Sequence, residues 1–302
     1  MCSSRELRDA VSATMRLSQA IVVIVPCLSP AVAYGPTLKL WLHHYSPTVT
    51  SLSLRDCNFL TDAGCKLLAA RFPLLERLDL SGCTNVTAAG VKKFSKGCKS
   101  LSHFRCVETK FNRKYSRVTA AYVRAIAESK KLIKFSLTLG PRRSMASALA
   151  SLHQHPAIQE LNLDFEGYRN ISLDIHLPSL QLLRIHRGAY STHSWRIFFQ
   201  SLRISGENDG TGGRNGLRNL PNLQLLHIHS SHYNQHYNQH DQPMPQLLRP
   251  EVLAALLSSK LVSIIVSPCT NEQLSQWRAL GPLNSLGQPI SLTIGEPWLE
   301  RV

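Results

Sequence analysis

A segment of 26 residues occurs twice in direct succession, and this repetition constrains the fold more than any other feature of the chain. Residues 47–72 align with residues 73–98 without a gap. The residues that coincide include Leu52 with Leu78, Leu54 with Leu80, Cys57 with Cys83 and Gly64 with Gly90. A fixed period of this length is typical of chains that stack one small structural unit many times, so that each unit packs on its neighbours.

Each copy predicts a short strand followed by a helix. Both copies contain the pattern L-x-x-L-x-L-x-x-C, whose last two leucines share one side of a strand because side chains alternate along it. ThrAspAlaGly at 61–64 then begins a helix. The apolar residues that follow at helical spacing are Cys65, Leu68, Ala69 and Phe72. Stacked copies predict an α/β leucine-rich repeat solenoid, a horseshoe with parallel strands on the concave face and helices on the convex face.

The strand half of the pattern recurs to the end of the chain and gives about nine units. The later copies are marked by Leu101, Phe104 and Cys106; Leu132, Phe135 and Leu137; Ile158, Leu161 and Leu163; Leu180, Leu183 and Ile185; Leu223, Leu226 and Ile228; and Leu261, Ile264 and Val266. We therefore expect residues 47–302 to form the solenoid. Residues 1–46 are expected to form an N-terminal cap or a degenerate first repeat, marked by Val22, Ile24 and Cys27. Unequal spacing predicts insertion loops at 110–117, 187–220 and 229–246.

Positive charge is concentrated in the first half of the chain. The formal net charge of +15 is carried by residues 1–155, and residues 92–143 hold 15 basic residues against Glu108 and Glu128. Such a block suggests an acidic partner surface, such as an acidic protein, a phosphorylated segment, nucleic acid or an anionic membrane. A basic face that only aids solubility is the alternative interpretation.

Strand alternation predicts which of these basic residues contact a partner. The predicted partner-binding residues on the strands are Arg55, Arg77, His103, Arg105 and Lys134, and those in the insertion after the third copy are Lys110, Arg113, Lys114 and Arg117. Lys92, Lys93 and Lys96 are expected on the convex helices and outside this site. We expect an acidic or phosphorylated protein segment as partner, because the planar arginine fork pairs two oxygens at once.

Cysteine and histidine are the candidates for site chemistry. Cys27, Cys57, Cys83 and Cys269 share one repeat position, which indicates packing, and reduced thiols favour a cytoplasmic or nuclear location. The histidines considered as metal ligands are His186, His227 and His229 on the strands and His232, His236 and His240 in the following loop. Their spacing matches no established metal site, so we expect surface histidines and no metal or cofactor.

Catalytic motifs are absent from the sequence. It contains no G-x-x-x-x-G-K-[ST], no G-x-S-x-G and no H-E-x-x-H. We therefore expect that the protein is not an enzyme. No apolar run reaches the roughly 20 residues that span a bilayer, so no membrane partner is expected.

Residues 47–98 resemble the cysteine-containing leucine-rich repeats of F-box proteins and of the related mitotic-exit antagonist family, which form ribonuclease-inhibitor-like horseshoes. The resemblance rests on LeuThrAspAlaGly at 60–64 and AspLeuSerGlyCys at 79–83. It implies a substrate-recognition subunit or adaptor of a cullin-type ubiquitin ligase. Residues 1–46 contain no recognisable F-box, so the resemblance implies the substrate-binding half.

The leading hypothesis is therefore a non-catalytic protein-binding scaffold, and two alternatives stay open. The first is binding of nucleic acid or another anionic surface through residues 92–143. For nucleic acid, the aromatic residues Phe104, Phe111, Tyr115 and Tyr122 are too few to suggest a stacking platform. The second is a fragment of a secreted or surface leucine-rich receptor, for which residues 1–33 would be the signal peptide.

Overall fold

The computed structural model describes residues 22–24, 49–58, 60–107, 120–139, 149–165, 175–187, 220–230, 259–267 and 269–294. The chain divides into two compact units, Met1–Tyr115 and Ser116–Val302, here called the N-terminal and C-terminal units. Within the described residues, no helix has the length and apolar character needed to cross a lipid bilayer.

The N-terminal unit is built from parallel strands with helices between them. Its strands are β1 (Val22–Ile24), β2 (Ser51–Ser53), β3 (Arg77–Asp79) and β4 (His103–Cys106), and its helices are α1 (Asp62–Arg71) and α2 (Ala88–Gly97). Leu52 lies opposite Leu78, and Leu78 lies opposite Phe104. The 26-residue period predicted from the sequence is therefore the register of these strands, and all three side chains are buried.

The two helices of this unit begin where the repeat predicts. The hydroxyl of Thr61 accepts a hydrogen bond from the backbone N–H of Gly64 at 3.5 Å, and Thr87 accepts one from Ala89 at 3.2 Å. Such threonines satisfy N–H groups that have no partner inside the helix. The predicted inner stripe of α1 is confirmed, since Cys65, Leu68, Ala69 and Phe72 are all buried.

Consecutive repeats are also joined by a side chain. The carboxylate of Asp62, the first residue of α1, accepts hydrogen bonds from the backbone N–H of Thr87 at 2.8 Å and from its hydroxyl at 2.6 Å. A Cβ atom at Gly90 would clash with this carboxylate and lie 3.2 Å from the sulfur of Cys65. Glycine is therefore required at position 90 because the preceding repeat occupies the space.

The C-terminal unit continues the same architecture with longer strands. Its strands are β5 (Lys134–Leu139), β6 (Glu160–Phe165), β7 (Leu182–Arg187), β8 (Leu225–Ser230), β9 (Ser263–Ser267) and β10 (Ser291–Ile294), and its helices are α3 (Ala120–Ala127) and α4 (Asn271–Leu280). All neighbouring strand pairs of this unit are parallel. The core leucines align across unequal spacings, as predicted: Leu161 with Leu183, Leu183 with Leu226, and Leu226 with Ile264.

The structure adds one strand to the prediction and changes the register of another. Strand β10 pairs with β9 and was not predicted. In β1, the sequence pattern placed Val22 opposite Leu52, whereas the structure places Val23 there. Three consecutive apolar residues show no alternation, so the sequence carried no signal for the register of β1.

Several predicted segments lie outside the described residues. The insertion at 110–117 is among them, as are residues 188–219 and 231–246 of the two other predicted insertions. The same holds for residues 1–46 apart from β1, and so for most of the candidate signal peptide at 1–33. The boundaries of the predicted cap therefore stay a prediction.

Candidate protein-binding surface

The side of each sheet opposite the core leucines is here called the strand face. In the N-terminal unit it carries Arg77, which is exposed, and Arg55, Asp79, His103 and Arg105, which are half-buried. The predicted alternation of core and outward residues is thus confirmed for these positions. Ser81 is buried, although it continues the same alternation beyond Asp79. It follows the end of β3, where its hydroxyl accepts a hydrogen bond from the N–H of Val107 at 3.1 Å.

Three charged side chains of this face form a cluster around Asp79. The Oδ2 atom of Asp79 lies 4.0 Å from Nε of Arg55 and 3.7 Å from Nε of Arg105. We call these three residues the Asp79 cluster. Two guanidinium groups and one carboxylate leave it with a formal charge of +1. Burial lowers the pKa of Arg105, while the Asp79 carboxylate acts in the opposite direction.

The structure adds one residue to the predicted site. Arg55 and Arg105 share a carboxylate that the prediction left out, although Asp79 alternates with Leu78 and Leu80 and so gave a usable signal. Arg77 lies opposite His103 in the register, and Nδ1 of His103 is 2.9 Å from the hydroxyl oxygen of Ser102. The four predicted loop residues, Lys110, Arg113, Lys114 and Arg117, lie outside the described residues.

Lys134, the remaining predicted residue, belongs to the C-terminal unit. Its ammonium lies 3.2 Å from Oε2 of Glu160, and the guanidinium of Arg184 lies 3.5 Å from the same oxygen. One carboxylate therefore stands beside two cations, as in the Asp79 cluster. Lys134 was predicted as a partner-binding residue, and in the structure it shares Glu160 with Arg184.

Two polar rows cross the strand face of the C-terminal unit. In the first row, Asn162 donates a hydrogen bond to Ser136 at 2.7 Å and accepts one from Arg184 at 3.3 Å. In the second, the hydroxyl of Thr138 donates to Asp164 at 3.3 Å. Strand register places each of these residues directly opposite its partner. The rows satisfy polar groups that are largely shielded from solvent, as burial requires.

The second row ends in a pair of histidines. Nδ1 of His186 lies 2.7 Å from the carboxylate of Asp164, and the ring of His186 stacks on His229 with centroids 4.9 Å apart. The expected surface position is wrong for His227 and His229, which are about nine-tenths buried. Burial lowers both pKa values to about 4; nearby Arg184 and His186 add to this for His227, and His186 and His227 for His229. Parallel strands about 4.8 Å apart bring such rings into contact.

The described histidines, cysteines and carboxylates do not form a metal site. No group of three or more His, Cys, Asp or Glu side chains among the described residues is arranged to hold a metal ion. The loop histidines His232, His236 and His240 lie outside those residues.

Three buried cysteines of the N-terminal unit, Cys57, Cys65 and Cys98, are packing groups. Cys57 is buried, and the thiol of Cys83 donates to the carbonyl oxygen of Leu54 at 2.9 Å. Burial raises the pKa of Cys83 strongly and raises those of Cys65 and Cys98 to about 12. Protonated thiols are poor nucleophiles and poor metal ligands. The predicted packing role is confirmed for the buried Cys57, while Cys83 and Cys269 are half-buried and Cys27 is not described.

Comparison with known proteins supports the same fold. A family model described as Leucine Rich repeat matches residues 45–69 and 73–95. The structure of the leucine-rich repeat-containing protein LegL7 from Legionella pneumophila is similar at 12% sequence identity and a TM-score of 0.50, over 93% of this chain and 89% of that chain. The fold is therefore an α/β leucine-rich repeat solenoid.

A second similar structure is larger than this chain. It is the crystal structure of the Rad7 and Elc1 complex in yeast, with 13% identity and a TM-score of 0.49 over 90% of this chain. The present chain spans 65% of the length of that chain. A comparison with curated protein sequences found no match.

Proposed function

We propose that this protein is a non-catalytic protein-binding scaffold whose N-terminal strand face binds an acidic or phosphorylated segment of a partner. The observation that carries the proposal is the Asp79 cluster. Two arginines from different repeats approach one carboxylate, and the exposed Arg77 lies on the same face. Stacked repeats present such groups as a continuous surface, which is how solenoid proteins bind extended partners.

The chemistry of the cluster favours an anionic partner. Half-buried guanidinium groups interact more strongly with an anion than solvated ones, because the local dielectric constant is lower. A carboxylate or phosphate can pair with the planar fork through two hydrogen bonds. Asp79 contributes one negative charge against the two positive charges of the cluster.

A peptide array tests this proposal. It would carry acidic, phosphorylated and neutral segments, and the full chain would be the probe. We expect binding to peptides with clustered Asp, Glu or phosphoserine, and loss of that binding in the variant Arg55→Ala/Arg105→Ala. The variant Lys130→Ala/Lys131→Ala removes two exposed charges elsewhere and is the matched control. Equal binding by both variants would contradict the proposal.

A narrower version of the proposal is a substrate-recognition subunit or adaptor of a cullin-type ubiquitin ligase. Its support is the resemblance of residues 60–64 and 79–83 to the repeats of F-box proteins. Under this version the chain recognises the substrate and depends on another component for attachment to the ligase. The chain alone should then fail to co-purify in stoichiometric amounts with the adaptor that recognises F-boxes. Stoichiometric co-purification would show that a divergent F-box had been overlooked.

We also propose a cytoplasmic or nuclear location, supported by the buried, protonated thiols of the N-terminal unit. Direct binding of single-stranded nucleic acid has less support. Four of the six aromatic residues in the basic region are buried and cannot stack on bases: Phe94, Phe104, Tyr122 and Phe135. Phe111 and Tyr115 lie outside the described residues.

A further inference from the structure

The outer side of α1 and α2 is a strongly basic surface. It is formed by five exposed lysines, here called the lysine face: Lys66, Lys92, Lys93, Lys96 and Lys99. At about 100° per residue, the three lysines within α2 lie inside an arc of about 100°. Lys66 occupies the position one repeat before Lys92, and Lys99 follows the end of α2. The lysines therefore lie on one side of two neighbouring helices.

Four of the five lysines have no carboxylate partner in the described part of the chain. Within the described ranges, Lys66, Lys93, Lys96 and Lys99 form no salt bridge. The single carboxylate in α1 and α2 belongs to Asp62, which is bound to Thr87 at the N-terminal end of α2. Lys96 and Lys99 lie at the other end of that helix. On the strand face, by contrast, Arg55 and Arg105 stand beside the carboxylate of Asp79, so the two surfaces of this unit differ in electrostatic character.

The type of cation indicates the type of partner. Lysine carries a compact charge on a flexible stem and lacks the fork that pairs with one carboxylate. Several lysines on one face therefore suit a diffuse anionic surface better than a single acidic side chain. Each lysine near an anionic bilayer adds to the attraction between the protein and that surface.

An exposed leucine occupies, one repeat earlier, the position that directly follows that of Lys99. Leu74, in the turn after α1, has 51% of its surface exposed, and its counterpart one repeat later is Ser100, directly after Lys99. An apolar side chain next to basic residues is typical of proteins that lie on a membrane surface, where it enters the headgroup region. A nucleic-acid backbone offers no comparable environment for leucine. No aromatic residue is among the large exposed apolar side chains in the described part of the chain.

We propose that the lysine face, together with Leu74, binds the anionic headgroups of a lipid bilayer surface. The bilayer would be contacted and not crossed. This proposal departs from the expectation of no membrane partner, which rested only on the lack of an apolar run long enough to span a bilayer. Because the helices cover one side of the sheet and the Asp79 cluster lies on the other, membrane and protein partner would occupy different surfaces of the N-terminal unit. The inference is independent of the proposed protein-binding function.

Vesicle co-sedimentation of the full chain tests the inference. Vesicles of phosphatidylcholine and phosphatidylserine at a ratio of about 7:3 should bind the protein, more weakly at high salt, whereas pure phosphatidylcholine should not. The variant Lys93→Glu/Lys96→Glu should bind at least about tenfold more weakly. Leu74→Ser should weaken binding about fivefold. Lys130→Glu/Lys131→Glu makes the same change in net charge at exposed positions of the C-terminal unit and should stay within about twofold of wild type.

Three outcomes would overturn the inference. One is the absence of binding to the anionic vesicles, and another is an equal loss in the Lys130→Glu/Lys131→Glu control, which would reduce the effect to net charge. The third is strong binding to duplex DNA with the same response to Lys93→Glu/Lys96→Glu and no response to Leu74→Ser, which would assign the face to nucleic acid. Circular dichroism checks the fold of every variant, and Lys66→Glu/Lys99→Glu replaces the α2 variant if that variant unfolds.

Discussion

His186 and His229 stack on each other from the neighbouring strands β7 and β8, with ring planes 11° apart. His186 also contacts Asp164, whereas His229 is buried beside His227. Two protonated rings in this arrangement would repel each other across a desolvated contact. The stacked pair therefore depends on at least one neutral ring, and the stability of the C-terminal unit is expected to depend on pH.

The first prediction is a loss of stability in weak acid. The pKa values of His227 and His229 are lowered to about 4 in the folded chain, from an ordinary value of 6.5. Between these values the unfolded chain binds more protons than the folded chain, so stability falls as the pH drops from 6.5 towards 4. We expect urea unfolding to show a loss of roughly 2–4 kcal/mol between pH 7 and pH 5. The variant His227→Gln/His229→Gln should lose clearly less over this range, and an unchanged slope would refute the assignment.

The second prediction concerns the contact between Gly90 and Asp62. Gly90→Ala should destabilise the chain by about 1–3 kcal/mol, because the new Cβ would displace a carboxylate that binds the start of α2. Asp62→Ala should cost about 1 kcal/mol through the lost hydrogen bonds. Because both changes act on the same contact, the double variant should cost less than the sum of the two. Additive losses, measured by chemical denaturation, would contradict this account.

The third prediction concerns the cysteines. Cys83→Ala should lower the free energy of unfolding by about 1–2 kcal/mol through lost packing and a lost hydrogen bond. Cys57 and Cys65, both buried, should react with a thiol reagent only after denaturation. Rapid labelling of either residue in the native protein, located by mass spectrometry, would show that the buried position is wrong.

The pattern of leucines was sufficient to predict the register of most strands. Side chains at Leu161, Leu183, Leu226 and Ile264 must all enter one core, so a shift by one residue would expose them. Strand β10 escaped prediction because Pro289 stands where the first leucine of its triplet would be. Because that leucine is missing, only Leu292 and Ile294 of the triplet remain, and two apolar residues are too few to identify a repeat.

The contacts within the binding surface could be predicted only in part, because core packing does not constrain the outward residues. Outward positions do not have to match the core, so the repeat places no constraint on their charge. The contact of Asp79 with Arg55 and Arg105 joins three repeats and becomes visible only when the strands are stacked. The burial of His227 and His229 depends in the same way on neighbours from other strands. Alternation alone indicated exposure for both.

The fourth prediction uses Asp79 as an internal competitor for the partner's anion. Asp79→Asn removes the charge but keeps an oxygen that can accept the hydrogen bond from the N–H of Ser81. Both arginines then lose their intramolecular counter-charge, so affinity for an acidic peptide should rise by about three- to tenfold. Isothermal titration with a peptide selected from the array measures this change. A weaker interaction would indicate that Asp79 itself contacts the partner.

The most direct test of the proposed binding surface compares the strand face and the lysine face of the N-terminal unit in one titration. An acidic peptide is titrated at low and high salt against wild type, the strand-face variant Arg77→Glu/Arg105→Glu and the helix-face variant Lys93→Glu/Lys96→Glu. The strand-face variant is expected to bind at least about tenfold more weakly and to lose most of the salt dependence, while the helix-face variant stays close to wild type. A larger loss in the helix-face variant, or no loss in either, would contradict the claim that the strand face binds the partner.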